Sequence, residues 1–139
     1  MKEHPECIFA GFFSRDEIGR YYASADIYIH TSLTETFGNV LTEAMASGLA
    51  AAGFDYAAAR MFVKDGKTGL SAPCDKPEAL IAAGVRLATD ADLRARLRVA
   101  ARTAVEAQSW DQVIAGFENN LENAAGVAHM QPGTAPVLV

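Results

Sequence analysis

Two hydrophobic patterns alternate along the chain. Short apolar runs are separated by longer stretches in which apolar residues recur every three or four positions, as on one face of a helix. The short runs predict strands over residues 7–10, Ile27–His30, 49–54 and 68–72. The longer stretches predict helices over Arg15–Ser24, 38–47, 55–63, Pro77–Thr89, 91–108 and Trp110–Ala124. Residues 126–139, with two prolines and two glycines, are expected to form an extended or disordered tail.

Residues at the ends of the predicted helices support these boundaries. Ser14 is followed three positions later by Glu17, which is the pattern of a capping box. Gly48 suits the C-terminal end of a helix, and Pro77 suits a first helical turn. Asp55 is expected to cap the helix predicted over residues 55–63.

Alternating strands and helices predict an α/β fold with a parallel sheet and helical crossovers. Three to four short strands would form a small sheet flanked by helices, with further helices at the C-terminal side. A doubly wound, Rossmann-like domain usually has more strands. We therefore expect the chain to be a partial Rossmann-like domain, namely its later part, over residues 1–125.

Composition and charge exclude several classes of protein. Of the 139 residues, 50% are hydrophobic and 21% are charged, which excludes intrinsic disorder. Two cysteines exclude a disulfide scaffold, and a net charge of −5 argues against nucleic-acid binding. No apolar run has the length of a membrane span, and residues 1–6 lack the apolar core of a signal peptide. The expected compartment is therefore the cytoplasm.

The richest chemical signal lies in residues 32–49, where a loop containing Glu35 leads into a helix that contains Glu43. In open α/β sheets, ligands bind beyond the carboxyl ends of the strands. The N-terminus of a helix attracts anions, and Gly38 would let a ligand approach the backbone closely. The two carboxylates would repel an anion, but they suit hydroxyl groups, which donate hydrogen bonds to them. An anion flanked by hydroxyl groups describes a nucleotide-diphosphate sugar.

This stretch resembles the retaining GT-B glycosyltransferases of glycosyltransferase family 4, also called group 1. The hallmark of that family is two glutamates separated by seven residues, with Phe-Gly after the first and Glu-Ala-Met-Ala-x-Gly at the second. Glu35 and Glu43 have that spacing and those flanking residues. The resemblance extends over about residues 6–125. The chain departs from the family pattern at residues 50–52, where three alanines replace a proline and two valines.

The resemblance implies a role for each glutamate. Glu35 would contact a hydroxyl of the donor hexose and help to fix the sugar while positive charge develops at its anomeric carbon, so it is the candidate catalytic residue. Glu43 would hold the ribose hydroxyls. The other implied donor-binding residues, which would approach the sugar, diphosphate and ribose, lie between them and are Phe37, Gly38, Asn39, Val40 and Leu41.

The resemblance also implies that neither a cofactor nor an essential metal is needed. In the family, an arginine and a lysine neutralise the diphosphate, and both lie upstream of the segment that matches this chain. The acceptor-binding domain lies upstream as well. We therefore expect this polypeptide to be inactive alone. The acceptor of its full-length parent would be a glycan or a lipid, and a peripheral position at the inner membrane is compatible with such a parent.

Other readings remain open. The chain could belong to a sugar-nucleotide epimerase of the same architecture, or it could be a non-catalytic module that forms homo-oligomers through an exposed sheet edge. His30 is interpreted as a hydrogen-bonded histidine of the core or its rim. Cys7 and Cys74 are interpreted as buried or inert thiols, and Trp110 as a packing anchor. The arginines at 94, 98 and 102 are interpreted as a solvated helix face.

Overall fold

The computed structural model describes residues 4–35 and 37–125, and these residues form an α/β structure as predicted. The elements in chain order are α1 (Arg15–Ser24), β1 (Ile27–His30), α2 (Asn39–Ala46), β2 (Ala50–Phe54), α3 (Ala57–Phe62), β3 (Leu70–Ala72), α4 (Pro77–Thr89), α5 (Ala91–Glu106) and α6 (Trp110–Ala124). The chain divides into two compact units between residues 105 and 106. The first unit contains the sheet and the candidate site.

The sheet has three parallel strands in the order β1-β2-β3. Ile27 of β1 lies opposite Ala50 of β2, and Ala52 of β2 lies opposite Leu70 of β3. Parallel neighbours cannot be joined by a tight hairpin. Helices α2 and α3 supply the two crossovers. The C-terminal ends of all three strands therefore lie at the same edge of the sheet.

Strand β2 is buried along its whole length and carries very small side chains. Its sequence is Ala-Ala-Ala-Gly-Phe, and all five residues are buried. Ala50, Ala52 and Phe54 face a cluster that includes Leu80 of α4. Ala51 faces the opposite cluster, which includes Leu41 and Met45 of α2 and Phe62 of α3. The helices therefore pack on both faces of a thin central strand.

Helix α5 contributes to both faces because it passes the edge of the sheet where the strands begin. Leu93 and Leu97 belong to the cluster on the α4 face, and Ala101 belongs to the cluster on the α2 and α3 face. Between them, Arg98 donates from Nε to the carbonyl of Gly48 at 2.6 Å and from Nη1 to Asp26 at 2.7 Å.

The interpretation of the three arginines as a solvated face is therefore wrong for two of them. Arg98 binds the residues that precede β1 and β2. Arg94 donates to the carbonyls of Leu87 and Ala88 at the end of α4. A charged side chain reaches these partners because helix C-termini and strand starts present carbonyl groups that need donors.

The helix-end predictions succeed where the partner is local in sequence. Ser14 and Glu17 form the complete capping box of α1. The predicted cap of α3 is wrong, because the helix begins at Ala57 and its N-cap, Tyr56, makes no side-chain cap hydrogen bond. Asp55 instead accepts from Arg60 Nε at 3.2 Å.

The strand predicted over residues 7–10 is also wrong. These residues have no regular secondary structure, and Ile8 and Phe9 are exposed. Apolar composition indicates a surface that can be buried, but a strand exists only where a neighbouring strand supplies hydrogen bonds. No described strand pairs with this segment, so the lower end of the predicted three to four strands is observed. Cys7 and Cys74 are exposed free thiols, contrary to the expectation of burial.

The described part of the second unit consists mainly of α6. Ser109 and Gln112 form its capping box, and its apolar side chains at positions 113, 114, 117 and 121 are exposed. The side chain of Trp110 and the predicted tail over residues 126–139 lie outside the described residues. None of the described helices has both the length and the apolar character that crossing a bilayer demands.

Candidate functional site

A depression of about 420 Å³ lies at the edge of the sheet where β1 ends. It is bounded by the loop after β1 and by the start of α2. The residues that line it are His30, Ser32, Glu35, Phe37, Gly38, Asn39, Val40 and Glu43. Six of the seven residues predicted for donor binding are thus brought together in one place.

Leu41 is the predicted residue that the structure separates from the others. Its side chain is completely buried in the cluster on the α2 and α3 face. Its backbone amide donates to the carbonyl of Gly38 at 3.0 Å. Apolar periodicity explains this position, since Leu41, Ala44 and Met45 form the inward face of α2.

Glu35 is held from behind by two donors, and its side chain is only 10% exposed. His30 Nε2 lies 2.9 Å from one carboxylate oxygen, Oε2. The backbone amide of Ala58 donates to the other oxygen, Oε1, at 2.9 Å. The carboxylate therefore joins the end of β1 to the start of α3.

The contact with Ala58 gives α3 the cap that Tyr56 does not supply. Ala58 is the second residue of α3, and a carboxylate at that end satisfies an amide and interacts favourably with the helix dipole. Ala57, just before it, has a φ of 43°, which is unusual for a residue with a Cβ. The cap thus comes from a residue 23 positions earlier in the chain.

A second hydrogen bond lies behind His30. Tyr28 Oη is 3.4 Å from His30 Nδ1, so Tyr28, His30 and Glu35 form a chain of polar groups. Burial, followed by the electrostatic influence of Tyr22, Glu35 and Glu43, raises the pKa of Tyr28 to about 12. The hydroxyl of Tyr28 therefore keeps its proton at neutral pH.

Gly38 allows Glu35 and α3 to come close to the start of α2. Its φ is 80°, a left-handed conformation that favours glycine. A Cβ at this position would lie 2.8 Å from Glu35 Oε2 and would overlap the Cβ of Ala58. The Phe-Gly of the motif is thus explained by packing within the site itself.

The first turn of α2 presents backbone donors to the depression. Within the described residues, the amides of Asn39 and Val40 have no hydrogen-bond partner. Glu43 is exposed one turn further along the same helix. Phe37, 54% exposed, packs edge to face on Phe62 of α3 with 6.5 Å between ring centroids.

The depression has anionic and neutral walls. No lysine or arginine lines it among the residues that the structure describes. Lys64, Lys67 and Arg60 line a separate depression together with Asp55 and Asp65. In the same described ranges, no group of three or more potential ligands could hold a metal ion.

Sequence reasoning missed the two residues that hold Glu35. His30 was interpreted as a satisfied histidine, which is confirmed, but its partner was not identified. A histidine at the last position of a strand, five residues before the first motif glutamate, is a signal that could have pointed to the pair. Nothing in the local sequence indicates the contact with the Ala58 amide.

Comparison with known proteins identifies the family that this chain matches. Residues 3–104 match the family described as Glycosyl transferases group 1. A GDP-mannose-dependent alpha-mannosyltransferase of Mycobacterium tuberculosis (strain CDC 1551 / Oshkosh) is 32% identical over an alignment of 118 residues that covers 82% of this chain and 31% of that protein. A phosphatidyl-myo-inositol mannosyltransferase of Mycobacterium tuberculosis (strain ATCC 25618 / H37Rv) is 36% identical over 118 residues, with 80% and 31% coverage. The chain thus spans 31% of the length of these relatives.

Solved structures show the same fold. Sucrose-phosphate synthase from Thermosynechococcus elongatus superposes with a TM-score of 0.69 at 24% identity, covering 87% of this chain and 31% of that one. The Anabaena protein Alr3699/HepE, solved in complex with UDP and glucose, superposes with a TM-score of 0.65 at 23% identity, covering 84% and 32%.

Proposed function

Because the chain belongs to the glycosyl transferases group 1 family and has the Rossmann-like fold of GT-B enzymes, we propose that it is the donor-binding part of a retaining hexosyltransferase. The transferase would move a hexose from a nucleotide-diphosphate sugar to a glycan or lipid acceptor. The observation that carries this proposal is the depression in which Glu35, Glu43 and the first turn of α2 meet.

The chemistry of the depression fits such a donor. The amides of Asn39 and Val40, which have no hydrogen-bond partner among the described residues, and the dipole of α2 suit a diphosphate oxygen. Glu35 keeps acceptor capacity for a hexose hydroxyl, because a carboxylate has about four acceptor positions and its two described donors use two of them. Glu43, exposed on the outer side of α2, is free to accept from the ribose hydroxyls.

Glu35 is the proposed catalytic residue. Its negative charge, fixed at the hexose, would stabilise the positive charge that develops at the anomeric carbon as the diphosphate departs. Phe37 and Gly38 shape the wall around the sugar, and Leu41 would contribute only by packing α2 against the core.

We propose GDP-mannose as the first donor to test. Two curated relatives at 32% and 34% identity are named GDP-mannose-dependent alpha-mannosyltransferases. This chain covers 31% of the length of each of these relatives, and the choice of guanine as the base follows from their names.

We further propose that no metal is required and that this chain alone does not transfer sugar. The described walls of the depression carry carboxylates and no cation to balance a leaving diphosphate. Its release would be unfavourable without positive charge from elsewhere. Turnover of GDP-mannose by the purified chain would overturn the proposed inactivity. A requirement for Mg²⁺ in that turnover would also overturn the proposal that no metal is needed.

Titration calorimetry with GDP-mannose, UDP-glucose and ADP-glucose tests donor binding. Glu43→Gln should lower the affinity by about tenfold or more, since it removes a charge-assisted hydrogen bond. Glu78→Gln, on the exposed first turn of α4 and outside the depression, is the matched control and should bind like the unaltered chain. If no nucleotide sugar binds to the unaltered chain, the proposed site is wrong.

A further inference from the structure

His30 occupies an unusual position, because it is buried and yet both of its ring nitrogens have polar partners. Its residue is 3% exposed. Nδ1 lies 3.4 Å from the hydroxyl of Tyr28, and Nε2 lies 2.9 Å from Glu35 Oε2. The ring forms part of the floor of the depression, but it keeps no polar atom for a ligand.

The two partners together determine where the proton of the neutral ring lies. A carboxylate only accepts hydrogen bonds, so Nε2 must be the donor toward Glu35. A neutral imidazole with its proton on Nε2 accepts at Nδ1, and the protonated hydroxyl of Tyr28 can donate there. The two hydrogen bonds therefore run in the same direction: Tyr28 donates to His30, and His30 donates to Glu35.

These hydrogen bonds restrict the orientation of the Glu35 carboxylate. The Ala58 amide holds Oε1 and His30 holds Oε2, so both oxygens are fixed from the protein side. Gly38 closes the space on a third side, since a Cβ there would touch Oε2. The carboxylate is thus restricted in its rotation, and a fixed acceptor loses less entropy on binding than a mobile one.

We propose that His30 is a positioning residue of the site, which orients Glu35 toward a hydroxyl of the donor hexose and is itself oriented by Tyr28. This inference rests on the proposed function, because the ligand group that it concerns is the sugar. His30 acts through Glu35 alone, so it affects the hexose part of the donor and leaves the nucleotide part, which Glu43 and α2 would bind, unaffected.

The test compares two ligands, GDP-mannose and GDP, on the 139-residue chain. His30→Phe keeps a ring of similar size and removes the donor to Glu35. It should weaken GDP-mannose by about tenfold and leave GDP within about twofold. His30→Gln restores an N–H near the position of Nε2 and should recover most of the lost affinity. Glu43→Gln should weaken both ligands alike, which separates the two parts of the donor.

Nitrogen NMR of the imidazole rings gives a readout that does not depend on a ligand. The resonances of His30, identified by their loss in His30→Gln, should show a proton on Nε2 and an unprotonated Nδ1. Tyr28→Phe should shift the Nδ1 resonance, because it removes the donor to that nitrogen. Circular dichroism of each variant checks that the fold is kept.

The outcomes are distinct. A His30→Phe variant that loses GDP and GDP-mannose equally, or a ring protonated on Nδ1 instead of Nε2, overturns the role of His30 and leaves the proposed function standing. An unaltered chain that binds neither ligand overturns the proposed function and this role with it. Selective loss of GDP-mannose with rescue by glutamine supports the assignment.

Discussion

Gly38, at the start of α2, lies close to the carboxylate of Glu35, and its substitution tests how tightly the site is packed. Gly38→Ala must adopt a φ of 80° and must also displace Glu35 and Ala58. The backbone term is about 1 kcal/mol, and the displacement adds about 1–3 kcal/mol. The free energy of unfolding, measured by urea denaturation, should therefore fall by about 2–4 kcal/mol.

Gly48→Ala is the matched control for this prediction. Gly48 has nearly the same φ, 83°, but a Cβ there would meet nothing within 4 Å. It should cost only the backbone term of about 1 kcal/mol. Equal losses for the two variants would show that the close approach of Glu35 and Ala58 to Gly38 is unimportant.

The raised pKa of Tyr28 predicts a loss of stability at alkaline pH. Its pKa is raised from 10.0 to about 12 in the folded chain, so the folded state holds the phenolic proton more tightly than the unfolded state. The stabilising contribution is complete below the unfolded pKa and is lost as the pH rises toward the folded one. The free energy of unfolding should fall over this window.

Urea denaturation across that pH range measures the effect, and ultraviolet titration of tyrosinate reports the pKa itself. Tyr28→Phe should show a shallower fall than the unaltered chain. The fall should not vanish, because burial also raises the pKa of Tyr22. Identical slopes for the variant and the unaltered chain would contradict the assignment to Tyr28.

At the scale of elements, Arg98 fastens α5 to the edge where β1 and β2 begin. It is half-buried and makes two short hydrogen bonds, to Gly48 and to Asp26. Arg98→Ala should lower the free energy of unfolding by about 1–2 kcal/mol, with the exposed ion pair contributing little of it. Arg96→Ala changes an exposed residue of the same helix that has no partner among the described residues, and it should change this free energy by less than about 0.5 kcal/mol.

The elements themselves were largely predictable because their causes are local. Helix α1 has its capping box in sequence, and α4 has a proline in its first turn, so both were predicted with the observed bounds. The strand over residues 7–10 was not predictable in this sense, since hydrogen bonding between strands depends on a distant partner.

The same distinction separates the parts of the candidate site. The meeting of Glu35, Gly38 and Glu43 followed from one contiguous motif. The amide of Ala58 lies 23 residues from Glu35, and only the crossover between β1 and α3 brings it there. Local sequence could name the carboxylate and carried a signal for His30, but it could not name the Ala58 amide.

At the scale of the whole molecule, the exposed edge of β1 predicts self-association. β1 and β3 are the outer strands of the described sheet. An apolar groove beside β1 is lined by Ile29, Phe54, Leu80 and Ile81, and Ile81 is exposed. Unpaired strand edges beside apolar surface favour pairing with a second chain. We expect light scattering to report a mass above 14.8 kDa.

Ile81→Lys should shift this equilibrium toward the single chain while leaving the fold unchanged, because its side chain is 68% exposed. Arg96→Lys, on an exposed part of α5, keeps the charge and serves as the control. A mass of one chain for the unaltered protein at all concentrations would contradict the prediction.

The alanines of β2 limit which substitutions the molecule can accept in evolution. On the face covered by α2 and α3, β2 presents only the small residues Ala51 and Gly53. A Cβ at Gly53 would lie 3.1 Å from the Cβ of Ala59. A larger residue in this strand would displace α2 and α3. The first turn of α2 lines the depression, and α3 binds Glu35 through the amide of Ala58. Substitutions in β2 would therefore alter the width of the depression. Evolutionary change in the core and change in ligand preference are thus coupled.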